Sequence, residues 1–177
     1  MTLHYEQNEN DILNKLLPEY VSVYRIELNS GEYEILQLAD NTNAKKLVDE
    51  EKLTFSNFDD FSKRYAENFI PDEEKEEFTD WFFCQNMKRR LQKAEKINYH
   101  YHSVSTEGKH SFYEAYAVKG QVAAGQFHIF LALRNIDSIL YKEKAIQKQL
   151  QDTLEKVKLS NEIISSIAKT YQYISRI

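Results

Sequence analysis

Apolar and polar residues alternate over two stretches near the start of the chain. YVSVYRIEL, Tyr20 to Leu28, is rich in β-branched and aromatic side chains on a two-residue period, and EYEILQL resumes the alternation over Glu32 to Leu38. Asn29-Ser30-Gly31 supplies turn chemistry between them, so the pattern predicts a β-hairpin. Ahead of it, Ile12, Leu13, Leu16 and Leu17 fall at helical spacing and Pro18 stops the run. A short helix is expected there, packed across the domain that follows.

Between Asp40 and Glu95 the alternation gives way to spacings of three and four. Phe58, Phe61, Tyr65 and Phe69 form one such set, and Phe78, Trp81, Phe82 and Leu91 another, so helices are expected to fill the middle third. Pro71 suits a first helical turn, and Asp72, Glu73 and Glu74 place negative charge where free amide groups favour it. Three strand-like runs follow: KINYHYHSV (Lys96 to Val104), HSFYEAYAV (His110 to Val118) and FHIFLALRN (Phe127 to Asn135). Gly108 punctuates the first connection, and Gly120 with Gly125 the second.

After Ile136 the period turns helical once more, with no Gly or Pro as far as Ile177. Ile146, Leu150, Val157, Ile164, Ile167 and Tyr171 are spaced 4, 7, 7, 3 and 4 apart, a heptad-like stripe in which Thr153 and Ser160 take two seam positions. Two strands, several helices, three strands and a long last helix predict an α+β domain with one five-stranded antiparallel sheet.

Composition bounds this picture. The chain has 177 residues, 42% hydrophobic and 29% charged, enough for one core plus an appendage. With 12 Tyr and 10 Phe against 2 Pro and 4 Gly it is built to fold. A formal charge of -5, with Lys and Arg dispersed among acids, argues against nucleic acid as a partner. No apolar run approaches the roughly 20 residues of a membrane span, and Met1 to Asp11 is polar and acidic, so a cytoplasmic fragment with no membrane contact of its own is expected.

Candidate chemistry is sparse. Cys84, the single cysteine, lies beside Trp81, Phe82 and Phe83 and reads as a buried core thiol. His100 and His102 leave one face of a strand, as two metal ligands would, and a third would have to come from His110 or His128. Ile97, Tyr99 and Tyr101 form the inward set of that strand, which leaves both imidazoles on the wetter side as solvated or interface groups; no metal is expected. No Gly-x-Ser-x-Gly elbow, Cys-x-x-Cys pair or glycine-rich phosphate loop can be written, and acid pairs such as Asp59-Asp60 and Glu76-Glu77 diverge on a helix. No catalytic residue is assigned. Tyr24, Phe61, Phe69, Phe82, Tyr99, Tyr116 and Phe127 could line a cavity between sheet and helices or fill it as core.

Two local stretches carry a resemblance. Phe69-Ile70-Pro71-Asp72-Glu73 resembles the His-Pro-Asp-Asp stretch of PAS domains, with Ile70 in place of the usual His. Arg134-Asn135-Ile136-Asp137 resembles their Asp-Ile-Thr signature, where the last strand passes into a signalling helix; Asn135 stands for Asp and Asp137 for Thr. With the order of elements, the region from Tyr20 to Asp137 is similar to PAS regions of bacterial sensor histidine kinases and diguanylate cyclases.

The resemblance implies residues 1–19 as a helical cap, 20–137 as a sensory domain, and 138–177 as a signalling helix or coiled coil. Asn161 to Ile177 looks like the beginning of a second such domain in a longer protein. It further implies a non-enzymatic regulatory module, homodimeric through its last helix, that relays binding of an unidentified small molecule or partner to a kinase or cyclase. Any contact joining sheet to output helix would pass to Asp137. Cys84 lacks the Asn-Cys-Arg context of flavin-binding relatives, and no haem, flavin or metal is implied. The alternatives are a small-molecule enzyme using the α/β pocket and a purely structural dimerisation domain.

Overall fold

A computed structural model describes residues 11–51, 57–123 and 125–176. Most of the expected cap, residues 1–10, lies outside the described residues. The chain divides into two units, Met1–Ile136 and Asp137–Ile177. The first is an α+β domain. A short helix, α1 (residues 11–16), precedes β1 (Ser22–Glu27) and β2 (Tyr33–Leu38). Then come α2 (Asn43–Glu51), α3 (Phe58–Phe69), a 3-10 turn (Asp72–Glu74), α4 (Lys75–Phe82) and α5 (Cys84–Leu91). The sheet is completed by β3 (Lys96–Val104), β4 (His110–Ala123) and β5 (Gln126–Asn135).

The five strands lie in the order β2-β1-β5-β4-β3, with every neighbouring pair antiparallel. Three pairs join consecutive strands; the fourth, β1 with β5, brings the two ends of the domain together. The inner face, carrying Tyr24, Ile26, Ile129 and Leu131, packs against Phe58, Phe61, Tyr65 and Phe69 of α3 and Phe78, Trp81 and Phe82 of α4. These are the helical positions the spacing picks out. The outer face has its own apolar layer, in which Leu16 of α1 packs with Val23, Phe130 and Ala132. Both faces of β1 and β5 are therefore buried, so these strands tolerate apolar residues on either parity.

Two positions differ from expectation. Pro71 precedes the 3-10 turn rather than starting an α-helix, and α4 begins at Lys75 after the acidic residues have closed that tighter turn. Gly120 does not mark a loop: β4 continues to Ala123 through a register shift between Lys119 and Val122, a bulge that accommodates the extra chain, and Gly125 (φ 84°) lies in the connection to β5.

The β1–β2 turn is where backbone conformation and side-chain chemistry meet. Gly31 (φ 77°) occupies the left-handed region, its carbonyl accepts from the Phe58 N–H at 2.8 Å, and a Cβ there would come within 3.1 Å of Asn57 Cβ. The turn thus abuts the start of α3, where Asn57 Oδ1 accepts the Asp60 N–H at 2.9 Å. Glu27 organises the other side: its carboxylate accepts the backbone N–H groups of Asn29 (3.0 Å), Ser30 (2.6 Å) and Phe127 (2.8 Å). Burial raises the pKa of this carboxyl, but the three amide bonds outweigh it and hold the pKa down to about 2. Glu27→Gln would lose the charge and turn an NH₂ towards these donors. The expected cost is about 1.5–3 kcal/mol at neutral pH, read from urea unfolding. Because the folded pKa is depressed, the wild-type advantage is complete above the ordinary value of 4.5 and vanishes as pH falls towards about 2.

Candidate functional site

The cavity between sheet and helices is small. It measures about 20 Å³ and is bounded by Tyr24, Phe58, Phe61, Tyr65, Phe78, Phe82, Tyr101, Leu131 and Leu133, with Ala44 and Ser62. That is room for about one water molecule and not for a metabolite. The core reading of the aromatic load therefore holds for this state of the domain. Aromatic rings close the space: Tyr65 stacks on Phe78 (5.8 Å between centroids), and Tyr101 meets Phe78 edge-on at 5.1 Å.

Of the seven aromatics read as candidate lining, Tyr24, Phe61 and Phe82 border this cavity, while Phe69, Tyr99 and Phe127 belong to the surrounding core. Tyr116 does not belong there. It packs in the outer layer, 6.2 Å from the Tyr20 ring, because β4 turns Ala115 and Ala117 inward and Tyr116 outward.

Polar groups in the inner layer are few. Ser103, fully buried on β3, accepts from Asn43 Nδ2 at 2.9 Å and lies 3.0 Å from the Tyr65 hydroxyl, so one serine joins α2, β3 and α3. Burial pushes the Tyr65 hydroxyl up to about 12 despite the Ser103 bond. The Tyr24 hydroxyl is buried and makes no well-formed hydrogen bond among the described residues; burial raises its pKa strongly, with Ser22 opposing the rise. Cys84 is buried as expected; burial, reinforced by Asp59, raises its pKa far from the reactive range. Asp59 Oδ1 accepts the Cys84 N–H at 2.8 Å, placing a carboxylate at the start of α5.

The outer face carries a charged groove of about 350 Å³ lined by Tyr20, Lys96, Ile97, Asn98, Glu114, Tyr116 and Arg134. Arg134 Nε donates to Glu114 Oε2 at 2.6 Å, and its guanidinium lies over the Tyr20 ring at 5.6 Å. Burial pulls Arg134 down and Glu114 up, yet the pair holds each in its charged form: Glu114 is shifted below and Arg134 above the ordinary value. Within the groove, Arg134 and Glu114 thus satisfy each other's charge.

The histidines regroup relative to their positions along β3. His100 stands 3.4 Å from Glu114, its cross-strand partner. His102 meets His110 instead, at 2.7 Å between His102 Nε2 and His110 Nδ1, and His128 is separate, beside Gln126. His100 and His102 leave the same face of β3, as their parity requires, but make separate contacts, because the hairpin register sets Glu114 opposite His100 and Val104 opposite His110.

The second unit is one helix, α6 (Asp137–Ile174), 38 residues long with no buried residue. Ile146, Leu150, Val157, Ile164 and Ile167 are all at least half exposed, as are Leu154, Leu159, Tyr171 and Ile174. Ile139 and Ile174 extend the seam at both ends on the same heptad register. No helix among the described residues is long and apolar enough to cross a membrane.

No family model and no curated protein matches the sequence. Among solved structures, the chain is similar to a sensory box histidine kinase/response regulator from Burkholderia thailandensis, at 9% identity and a TM-score of 0.42, over 74% of this chain and 88% of that one. It is also similar to a PAS domain from a two-component sensor histidine kinase, at 11% identity and a TM-score of 0.34, over 73% of this chain and 98% of that one. The fold itself, an α+β domain whose five-stranded antiparallel sheet keeps its helices between β2 and β3, stands on the strand order and register of the chain.

Proposed function

We propose that this chain is a regulatory sensory and dimerisation module of a larger cytoplasmic signal-transduction protein, a histidine kinase or diguanylate cyclase. In this reading two copies associate through α6, which relays changes in the α+β domain to an output domain. The observation that carries it is α6 itself: 38 residues without a buried side chain, bearing an apolar seam at heptad spacing. A single helix of this kind leaves its stripe in water, whereas a second copy covers it with the same stripe. Connection to the sheet is direct. Ile136, buried, donates its N–H to Phe112 O at 2.9 Å and immediately precedes α6.

The lining of the interior cavity supports a non-catalytic reading: its ionisable groups are the hydroxyls of Tyr24, Tyr65 and Tyr101, each held in the neutral form by burial, with no carboxylate or imidazole among the lining residues to act as a base. Its size supports a module that responds to a partner or to helix packing rather than to an enclosed metabolite. Light scattering after size exclusion tests the proposal on the full chain and on a chain ending at Asp137. The full chain is expected at twice its 21.0 kDa mass and the shorter one at the mass of a single copy. Single-copy masses for both would overturn helix-driven dimerisation.

A further inference from the structure

The contact between His102 and His110 has no part in the reading above. Its geometry is specific. His102 Nε2 faces His110 Nδ1 at 2.7 Å, while Glu74 Oε1, on the 3-10 turn, stands 3.4 Å from the other nitrogen of His102. The His102 ring is stacked on both neighbours, with centroid separations of 4.8 Å to His110 and 4.9 Å to Phe112, so its orientation is set by packing. His110 is exposed and free to adjust.

Two neutral imidazoles at this distance share one N–H···N bond, one nitrogen giving the proton and the other a lone pair. When the donor ring adopts its other tautomer, carrying its proton on the far nitrogen, two lone pairs face a common space. A tetrahedral cation with bonds of about 2.0–2.1 Å to nitrogen needs its two ligand atoms roughly 3.3 Å apart, a small opening for an exposed ring. Glu74 stands 3.4 Å from the far nitrogen of His102, the position from which a carboxylate usually fixes the tautomer of a metal-bound imidazole and raises its basicity, so a small side-chain movement would complete that bond. Nitrogen ligands of this type select late first-row divalent cations over magnesium or calcium.

We propose that His102 Nε2 and His110 Nδ1 bind such a cation, for which Zn²⁺ is the probe, with Glu74 orienting His102 from behind. No group of three or more His, Cys, Asp or Glu among the described residues is arranged to hold a metal, so solvent completes the coordination and leaves positions open to a small anion. The cation would tie β3 to the start of β4 and, through Glu74, to the turn that leads into α4, whose Phe78 and Phe82 border the interior cavity. This inference is independent of dimerisation through α6.

Calorimetric titration of the full chain with zinc chloride tests it. One ion per chain is expected. His110→Ala should weaken binding at least tenfold and Glu74→Gln by about tenfold, with His128→Ala unchanged as the control. His110 is exposed, so circular dichroism of its variant should match wild type, whereas His102 is packed and its substitution is less clean. No saturable uptake at millimolar zinc, uptake unchanged by His110→Ala, or equal losses in the His110 and His128 variants would each overturn the site. An unchanged Glu74→Gln variant would overturn the role given to that carboxylate.

Discussion

Phe58→Ala is expected to destabilise the α+β domain by about 3–5 kcal/mol, the range for removing a buried phenyl ring that its neighbours cannot replace. Phe58 is 2% exposed and lies about 6 Å, centroid to centroid, from each of Tyr24, Tyr33 and Phe61. It also opens α3, where the Phe58 N–H reaches Gly31 O, so collapse around the lost ring would have to move the hairpin turn with it. The space vacated adds to a cavity already lined by aromatic and aliphatic side chains. An enlarged apolar cavity of this kind stays dry and takes up benzene. Urea unfolding of the variant with and without benzene reads both effects. A loss under about 1 kcal/mol would mean that the inner layer can repack and that the small cavity is not a rigid feature.

The second large effect concerns the seam of α6. Thr153 and Ser160 fall on the same heptad position as Ile146 and Ile167, polar layers on either side of Val157 in the stripe from Ile146 to Ile174. If α6 pairs as proposed, replacing Val157 and Ile164 together by Asp should leave single chains, because each protomer would then place two charges against their own copies. Replacing Thr153 and Ser160 by Leu should do the reverse, by about 1.5–3 kcal/mol for each side chain newly buried. Sedimentation equilibrium over a dilution series reads both. If the Asp variant keeps the two-chain mass, the seam is not the interface. If the Leu variant gains nothing, those positions do not face a partner. Polar layers in this place would leave the proposed helix pair only modestly stable at its centre, as a relay through a change of packing would need.

How far the sequence carried these arguments differs from element to element. The alternation in Lys96 to Val104 placed β3 at its observed limits, because a strand buried mainly on one face must repeat every two residues, and the β-branched and aromatic run in Tyr20 to Leu28 placed β1 close to its own although both its faces are covered. Ile97, Tyr99 and Tyr101 turn inward as their parity requires. The same reasoning misplaced Tyr116. On β4 the inward residues are Ala115 and Ala117, and the larger apolar side chains Tyr116 and Val118 point to the layer under α1. Once a second apolar layer covers the outer face, alternation no longer tells inside from outside. Gly120 misled for a related reason: a bulge and a turn both favour glycine, and only the pairing with β5 separates them.

The sequence by itself determined the elements, their order, the burial of Cys84 and the heptad stripe of α6, since each follows from spacing within a single segment. Tertiary structure alone decided three things. It closed the aromatic space to about 20 Å³, because the volume left between layers depends on how α2, α3 and α4 settle on the sheet. It joined Asn43, Ser103 and Tyr65 into one buried cluster from three separate elements. It also parted His100 from His102 and gave His102 to His110, because cross-strand register is fixed by pairing between segments and is absent from the periodicity of either one.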